Sequence, residues 1–204
     1  MWSSPQLRRC RGLQVETRPI GSLAVSVVGV GCNNFGGRID ELRSQEVIDA
    51  ALDVGINFFD TADMYANGES EELLGRFLGP RRREVIVATK FGNEMPGQGR
   101  GARPEYVKKA LDASLQRLDT DYVDLYQQHV PDPEVPIAET LGALEALVKA
   151  GKVREIGCLR RWISRNRFIA ARGRVKRWGV NDWTDEARLQ WHPGFATCAM
   201  PACT

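Results

Sequence analysis

Four residues that can exchange protons or carry charge stand at the ends of three short apolar stretches. Asp60 ends "INFFD" and Tyr65 follows five residues later, while Lys90 ends "VIVATK" and His129 ends "DLYQQH". A charged group that closes an apolar strand is costly unless it is paired. If the three stretches are neighbouring parallel strands, their carboxyl ends share one face, and we expect the four side chains to converge there.

The four residue types together suit carbonyl chemistry. A phenol is a poor acid at neutral pH, and a nearby ammonium group such as Lys90 favours proton release from it. Asp60 would hold Lys90 in place, and His129 would hydrogen-bond and orient a carbonyl oxygen. Each residue alone has an ordinary explanation as a turn former, packing group or strand end. Their occurrence at successive strand ends favours a site in which Tyr65 donates a proton, with Asp60, Lys90 and His129 as its catalytic partners.

The surrounding sequence alternates between strand and helix patterns. Short β-branched or aromatic runs bounded by glycine or polar residues predict five strands, at 24–31, 56–62, 83–92, 121–129 and 152–158. Between them, apolar residues at helical spacing predict four helices, at 43–55, 68–79, 103–118 and 136–151.

Local signals place the helix ends and faces. Ser44 is a possible cap of the first helix, and the acidic start of the second suits the positive end of the helix dipole. Pro104 fits the first turn of the third helix. In the fourth helix, we expect one buried stripe along Leu141, Leu144 and Val148.

Five strands alternating with four helices in units of roughly 30 residues predict a parallel α/β fold with crossover helices. Two arrangements of the sheet fit this pattern. One is an open doubly wound sheet, and the other is a (β/α)₈ TIM-type barrel of which only the first five strands are present. The first strand–helix turn reads "GVGCNNFGG" and lacks the GxGxxG phosphate fingerprint. This weakens the dinucleotide-binding form of the open sheet without excluding other open sheets.

Composition excludes several classes of protein. The net charge of +2 gives no indication of a nucleic-acid partner, and no apolar run is long enough to cross a membrane. The five scattered cysteines are typical of reduced thiols, and the start of the chain lacks the apolar core of a signal peptide, so we expect a cytoplasmic protein. Two distant histidines make a zinc site, or any metal site, unlikely on sequence grounds alone.

Several motifs in order resemble those of the aldo-keto reductases. They are "GVGCNNFGG", "GINFFDTADMYANGESEELLG", "EVIVATKFG", "RLDTDYVDLYQQHVPDP" and "LVKAGKVREIGC", within residues 16–158. The resemblance implies a (β/α)₈ barrel, NADPH as the hydride donor, and reduction of an aldehyde or ketone. It implies that Tyr65 is the proton donor, and that Gly31, Cys32, Asn33 and Asp60 lie beside the cofactor.

The resemblance ends near Cys158, which divides the chain into an N-terminal extension (1–15), a partial barrel (16–158) and an atypical tail (159–204). The family continues from strand five into Ser-Asn, whereas Leu159 and Arg160 stand here. The tail holds nine Lys or Arg against three Asp or Glu, and four of the five Trp. A frameshift or truncation, a natural short form, and a basic element for anionic partners all remain open.

An incomplete barrel suggests an alternative function. Without strands six to eight the chain would be a non-catalytic partial barrel, either a truncated product or a binding or regulatory subunit. It would bind NADPH weakly and turn over poorly, and its open sheet edge would favour self-association.

Overall fold

The computed structural model of the chain describes residues 15–158, with the side chain of Cys158 left out. The predictions for residues 1–14 and for the tail at 159–204 lie outside the described residues. Seven strands are present: β1 (Thr17–Ile20), β2 (Leu23–Ser26), β3 (Val30–Gly31), β4 (Phe58–Asp60), β5 (Ile86–Phe91), β6 (Val123–Gln128) and β7 (Val153–Cys158). The four α-helices are α1 (Glu41–Asp53), α2 (Glu69–Leu78), α3 (Pro104–Arg117) and α4 (Ile137–Lys149).

Strands β3 to β7 form one parallel sheet in sequence order, with a helix between each strand and the next. The register places Gly31 beside Asp60, Asp60 beside Ala88, and Lys90 beside Gln127. The predicted parallel α/β fold is therefore confirmed. The described strands do not close into a barrel, because β3 and β7 remain at opposite edges of the sheet.

The predicted first strand at 24–31 is wrong as a single element. Its first part, β2, pairs antiparallel with β1 in a separate hairpin, and only the two residues of β3 join the parallel sheet. The chain bends between them, where the Ser26 hydroxyl donates a hydrogen bond to the Val28 carbonyl at 2.7 Å. The Asn57 side chain holds this bend by accepting from the Ser26 amide at 2.8 Å and donating to Ala24 at 3.0 Å. Strand propensity alone could not reveal this break, because it depends on a side chain 31 residues away.

Apolar side chains cover the sheet on both faces. On the outer face, Phe59, Val87 and Tyr126 are fully buried against the four helices. On the inner face, Ile86, Ala88 and Leu125 pack against Leu23 and Val25 of the hairpin. The hairpin thus closes the amino-terminal end of the inner face, and the carboxyl ends of the strands remain at the other end.

Two helix predictions need correction. Asp40 caps α1, because its carboxylate accepts a hydrogen bond from the Arg43 amide at 2.8 Å, and Ser44 is buried inside the helix instead. In α4, Val148 is 36% exposed, so the predicted stripe is wrong at that position. The buried face of α4 consists of Thr140, Ala143, Leu144 and Leu147. In α3, helical spacing predicts one buried face, and the structure confirms it, because all six of its positions are buried: Val107, Ala110, Leu111, Ser114, Leu115 and Leu118.

Alanine in place of glycine is expected to have opposite effects in two helices. In α2, a Cβ on Gly75 would lie 2.5 Å from the Leu118 carbonyl, so Gly75→Ala should destabilise the chain by about 1–3 kcal/mol. In α4, nothing lies within 4 Å of a Cβ on Gly142, and Gly142→Ala should stabilise it by roughly 0.5–1 kcal/mol. Urea denaturation followed by circular dichroism measures both changes. A Gly75→Ala chain as stable as the parent would contradict the close contact between α2 and Leu118.

Candidate active site

The strand register brings Asp60 and Lys90 to the same face of the sheet. Asp60 pairs with Ala88, and Lys90 lies two residues beyond Ala88 on β5, so both side chains point to the inner face. Both stand at the carboxyl ends of their strands, where parallel α/β folds build their sites. Burial of the Lys90 side chain, which is only 4% exposed, demands a paired charge.

Lys90 contacts two predicted site residues, Asp60 and Tyr65, and the backbone of Thr61. Its Nζ lies 2.9 Å from the Asp60 Oδ1 and donates to the Thr61 carbonyl oxygen at 2.7 Å. The same Nζ lies 3.4 Å from the Tyr65 phenol oxygen, and 5.0 Å from the centre of its ring. The ammonium group is therefore fixed by two acceptors while it faces the phenol of Tyr65, which is partly exposed. The Thr61 carbonyl is a contact that the sequence did not indicate.

His129 completes the group. It follows β6, and its backbone amide donates to the Phe91 carbonyl at 2.8 Å, which fixes the residue beside the end of β5. Its ring meets the Tyr65 ring edge-on, with 5.8 Å between centroids. Burial, and then the charge of Lys90, lower the pKa of His129 from 6.5 to about 4. The imidazole is therefore neutral at physiological pH, and its buried Nδ1 has no hydrogen-bond partner among the described residues.

Besides Asp60, the three residues expected beside a cofactor differ in exposure. Gly31 and Asn33 are exposed, and Gly31 pairs directly with Asp60. Cys32 is fully buried, with its amide bound to the Asp60 carbonyl at 2.9 Å and its thiol 3.6 Å from the Val30 carbonyl. Burial raises the pKa of the Cys32 thiol far above its usual range. Cys32 therefore shapes the loop, whereas Gly31 and Asn33 are the residues that a ligand can reach.

The turn after Tyr65 has an uncommon backbone conformation. Ala66, Asn67 and Gly68 have φ values of 49°, 55° and 99° in succession, all in the left-handed region. Glycine adopts this region freely and asparagine tolerates it, but for Ala66 it is unfavourable. Such strain persists only where surrounding contacts enforce it, and it is common at functional sites. The turn that follows Tyr65 therefore has a conformation that its surroundings must hold in place.

The sequence missed a buried ion pair next to this turn. Glu71, in the first turn of α2, is fully buried, and its Oε2 lies 2.7 Å from Arg117 Nε of α3. Its other oxygen accepts a hydrogen bond from the Thr89 hydroxyl. The helix dipole accounts only for the exposed acids at the start of α2 and not for Glu71. The spacing of Glu71 from the buried Leu74 and Leu78 could have shown that it lies on the buried face.

A groove on the described part of the chain is remote from these groups. It has a volume of about 620 Å³ and is lined by Arg82, Arg83, Asp119 and Tyr122, which precede β5 and β6. It therefore opens at the amino-terminal end of the sheet, opposite Tyr65, and we do not assign it to the site. Within residues 15–158, no three His, Cys, Asp or Glu side chains are grouped to hold a metal ion. No helix in that range is long and apolar enough to cross a membrane.

The fold and the site together define a parallel α/β protein with titratable side chains gathered at the carboxyl ends of its strands. The sequence profile of the aldo/keto reductase family matches residues 27–165. The chain belongs to the aldo/keto reductase family, and the match extends beyond Cys158, where the motifs end.

Three relatives illustrate the similarity. Aldo-keto reductase yakc of Schizosaccharomyces pombe, whose name includes NADP(+), is 42% identical over 154 residues, which cover 71% of this chain and 45% of the relative. A probable voltage-gated potassium channel subunit beta of Arabidopsis thaliana is 35% identical, with 69% and 41% covered. The solved holo form of aldo-keto reductase AKR11C1 from Bacillus halodurans is 38% identical, with a TM-score of 0.65 and coverages of 71% and 50%. The chain thus spans about half the length of the relatives it matches.

Proposed function

We propose that this chain carries the proton-donating half of an NADPH-dependent carbonyl reductase site. The observation that supports this most directly is the placement of Lys90 Nζ, 2.9 Å from Asp60 and 3.4 Å from the Tyr65 phenol. A buried ammonium that is held by a carboxylate and faces a partly exposed phenol favours proton donation by that phenol. The substrate class is an aldehyde or a ketone.

Each residue has a distinct role in the proposed reaction. Tyr65 donates its proton to the carbonyl oxygen as negative charge develops there, and Lys90 stabilises the phenolate that remains. Asp60 fixes Lys90 in its charged form. His129, neutral because of its low pKa, donates a hydrogen bond to the same carbonyl oxygen and orients the substrate without adding a charge.

The residues present fit part of the cofactor. Gly31 and Asn33 are exposed, and Gly31 pairs directly with Asp60. Gly31, Asn33 and Asp60 would lie against the nicotinamide end of NADPH, which supplies the hydride. The fully buried Cys32 would contribute only through the loop that it holds in place.

A non-catalytic partial barrel is the second candidate. It is favoured by β7, which pairs only with β6 among the described strands and leaves one row of backbone groups open. The chain also covers only 41% of the channel-subunit relative, which is named as a subunit and not as a reductase. Under this alternative the chain is a binding or regulatory subunit, or it self-associates through the β7 edge with a second copy. We place either form in the cytoplasm.

Titration of the full chain with NADPH separates the two candidates. The nucleotide fluorescence is followed as the protein is added, and reduction of a simple aromatic aldehyde by NADPH is assayed in parallel. Because the described half offers only a few cofactor contacts, we expect binding weaker than micromolar and slow turnover. Saturable binding at micromolar concentration or below would contradict the incomplete site and establish a complete one. Absence of both binding and turnover would favour the non-catalytic partial barrel.

A further inference from the structure

A cluster of buried or half-buried ionisable side chains lies beside the turn that follows Tyr65. It consists of Asp63, from the segment that follows β4, Glu71 from α2 and Arg117 from α3. Asp63 and Glu71 are 1% and 0% exposed, respectively. The proposed reaction gives none of the three a role, although Asp63 stands in sequence between Asp60 and Tyr65.

Asp63 is the unusual member of this cluster. Both of its carboxyl oxygens are buried without a hydrogen-bond partner among the described residues. The Met64 amide favours the charged form slightly but does not make a hydrogen bond of ordinary geometry. An ionised carboxylate in such a position would be strongly unfavourable, whereas an uncharged carboxyl group is tolerated.

The charges around Asp63 lead to the same conclusion. Glu71 raises the pKa of Asp63 by its negative charge, and Arg117, the cation with the larger opposing effect, already binds Glu71 at 2.7 Å. Lys90 contributes weakly, and the buried hydroxyls of Tyr106 and Tyr126 also lie within its electrostatic reach. Burial first, and then Glu71, raise the pKa of Asp63 from 3.8 to about 7. Two carboxyl groups therefore compete for one guanidinium.

Contacts connect this cluster to Tyr65. The Asp63 amide donates to the Lys90 carbonyl at 3.1 Å, and the Tyr65 amide donates to Ala62 at 3.1 Å. At the other end of the left-handed turn, Gly68 lies so close to Arg117 that a Cβ there would be 2.6 Å from the Arg117 Cδ. Arg117 thus packs against the turn at Gly68, and its ion pair with Glu71 holds it in that position.

We propose that Asp63 is a positioning residue whose uncharged form keeps Arg117 on Glu71 and under the turn, so that the Tyr65 phenol stays beside Lys90. When Asp63 ionises, it draws Arg117 away from Glu71, and the support of the turn at Gly68 weakens. The role assigned to Tyr65 rests on the proposed function, but the coupling between Asp63 and the position of Tyr65 does not.

Carbon-13 NMR of the full chain labelled at tyrosine Cζ tests this coupling without any cofactor. The sequence has four tyrosines, and Tyr65→Phe assigns the Tyr65 signal. We expect the Tyr65 signal of the parent chain to shift with a midpoint near pH 7. His129 does not account for such a step, because its pKa is about 4. A Tyr65 signal that stays constant between pH 5 and 9 would overturn the proposal.

Asp63→Asn separates positioning from a general effect of pH. This uncharged isostere should abolish the step and keep the Tyr65 signal at its low-pH position throughout. The matched control is Asp53→Asn, at an exposed site in α1, which should leave the step unchanged. A step that survives in Asp63→Asn refutes the role of Asp63. If the step is lost but NADPH does not bind, the positioning role stands and the proposed function fails.

Stability gives a second readout on the same variants. Since the pKa of Asp63 is raised in the folded chain, its contribution to stability is complete below about pH 4 and is lost as the pH rises through about 7. The urea midpoint of Asp63→Asn should therefore increase relative to the parent between pH 4 and pH 8. A difference that does not change with pH would contradict an uncharged Asp63.

Discussion

Replacement of Glu71 by glutamine is expected to lower the free energy of unfolding by roughly 3 kcal/mol. The substitution keeps the size of the side chain but removes the charge that compensates Arg117, whose side chain is only 12% exposed. Breaking a buried ion pair by removing one partner typically costs about 3–5 kcal/mol. We expect the lower end of this range, because Asp63 can partly replace Glu71 as the anionic partner of Arg117. Urea denaturation followed by circular dichroism measures the change.

The matched control for this prediction is Glu145→Gln on α4. Glu145 also pairs with a basic residue, Lys149, at 3.0 Å, but both side chains are more than 60% exposed. A surface pair at this spacing contributes only about 0.3–0.5 kcal/mol. Equal losses in the two variants would show that Glu71 is not a buried charge, and the cluster beside Tyr65 would lose its support.

Replacement of Tyr65 by phenylalanine is expected to reduce the rate of aldehyde reduction by about 10²–10⁴-fold, which is the usual contribution of a general acid. Phenylalanine keeps the ring that contacts His129 and removes only the hydroxyl that faces Lys90 at 3.4 Å. The affinity for NADPH should change little. The rate is measured as NADPH oxidation with an aromatic aldehyde, with the uncatalysed background subtracted.

Tyr122→Phe provides the control for the same chemical change at a distant position. Tyr122 lies before β6, and its ring packs under Arg82 at 4.5 Å, a contact that phenylalanine retains. We expect an unchanged rate for this variant. If Tyr65→Phe reduces aldehydes as fast as the parent chain, Tyr65 is not the proton donor and the proposed mechanism is wrong.

Apart from the β1–β2 hairpin, the sequence alone was sufficient for the order of strands and helices and for the four residues at the carboxyl ends of the strands. These features depend on local patterns. Apolar runs, glycine stops and helical spacing lie within a few residues of one another, and parallel strands bring their carboxyl ends together whatever their exact bounds. Asp60, Lys90 and Tyr65 therefore lie where the alternation of strands and helices predicts.

Other features required contacts between residues that are distant in sequence. The break between β2 and β3 depends on Asn57, 31 residues after Ser26. The burial of Glu71 depends on Arg117, 46 residues further along the chain. A single sequence shows that an acid is present, but only tertiary packing decides whether water or a guanidinium surrounds it. For Asp63 these surroundings raise the pKa, and under the coupling proposed above they also affect the position of Tyr65.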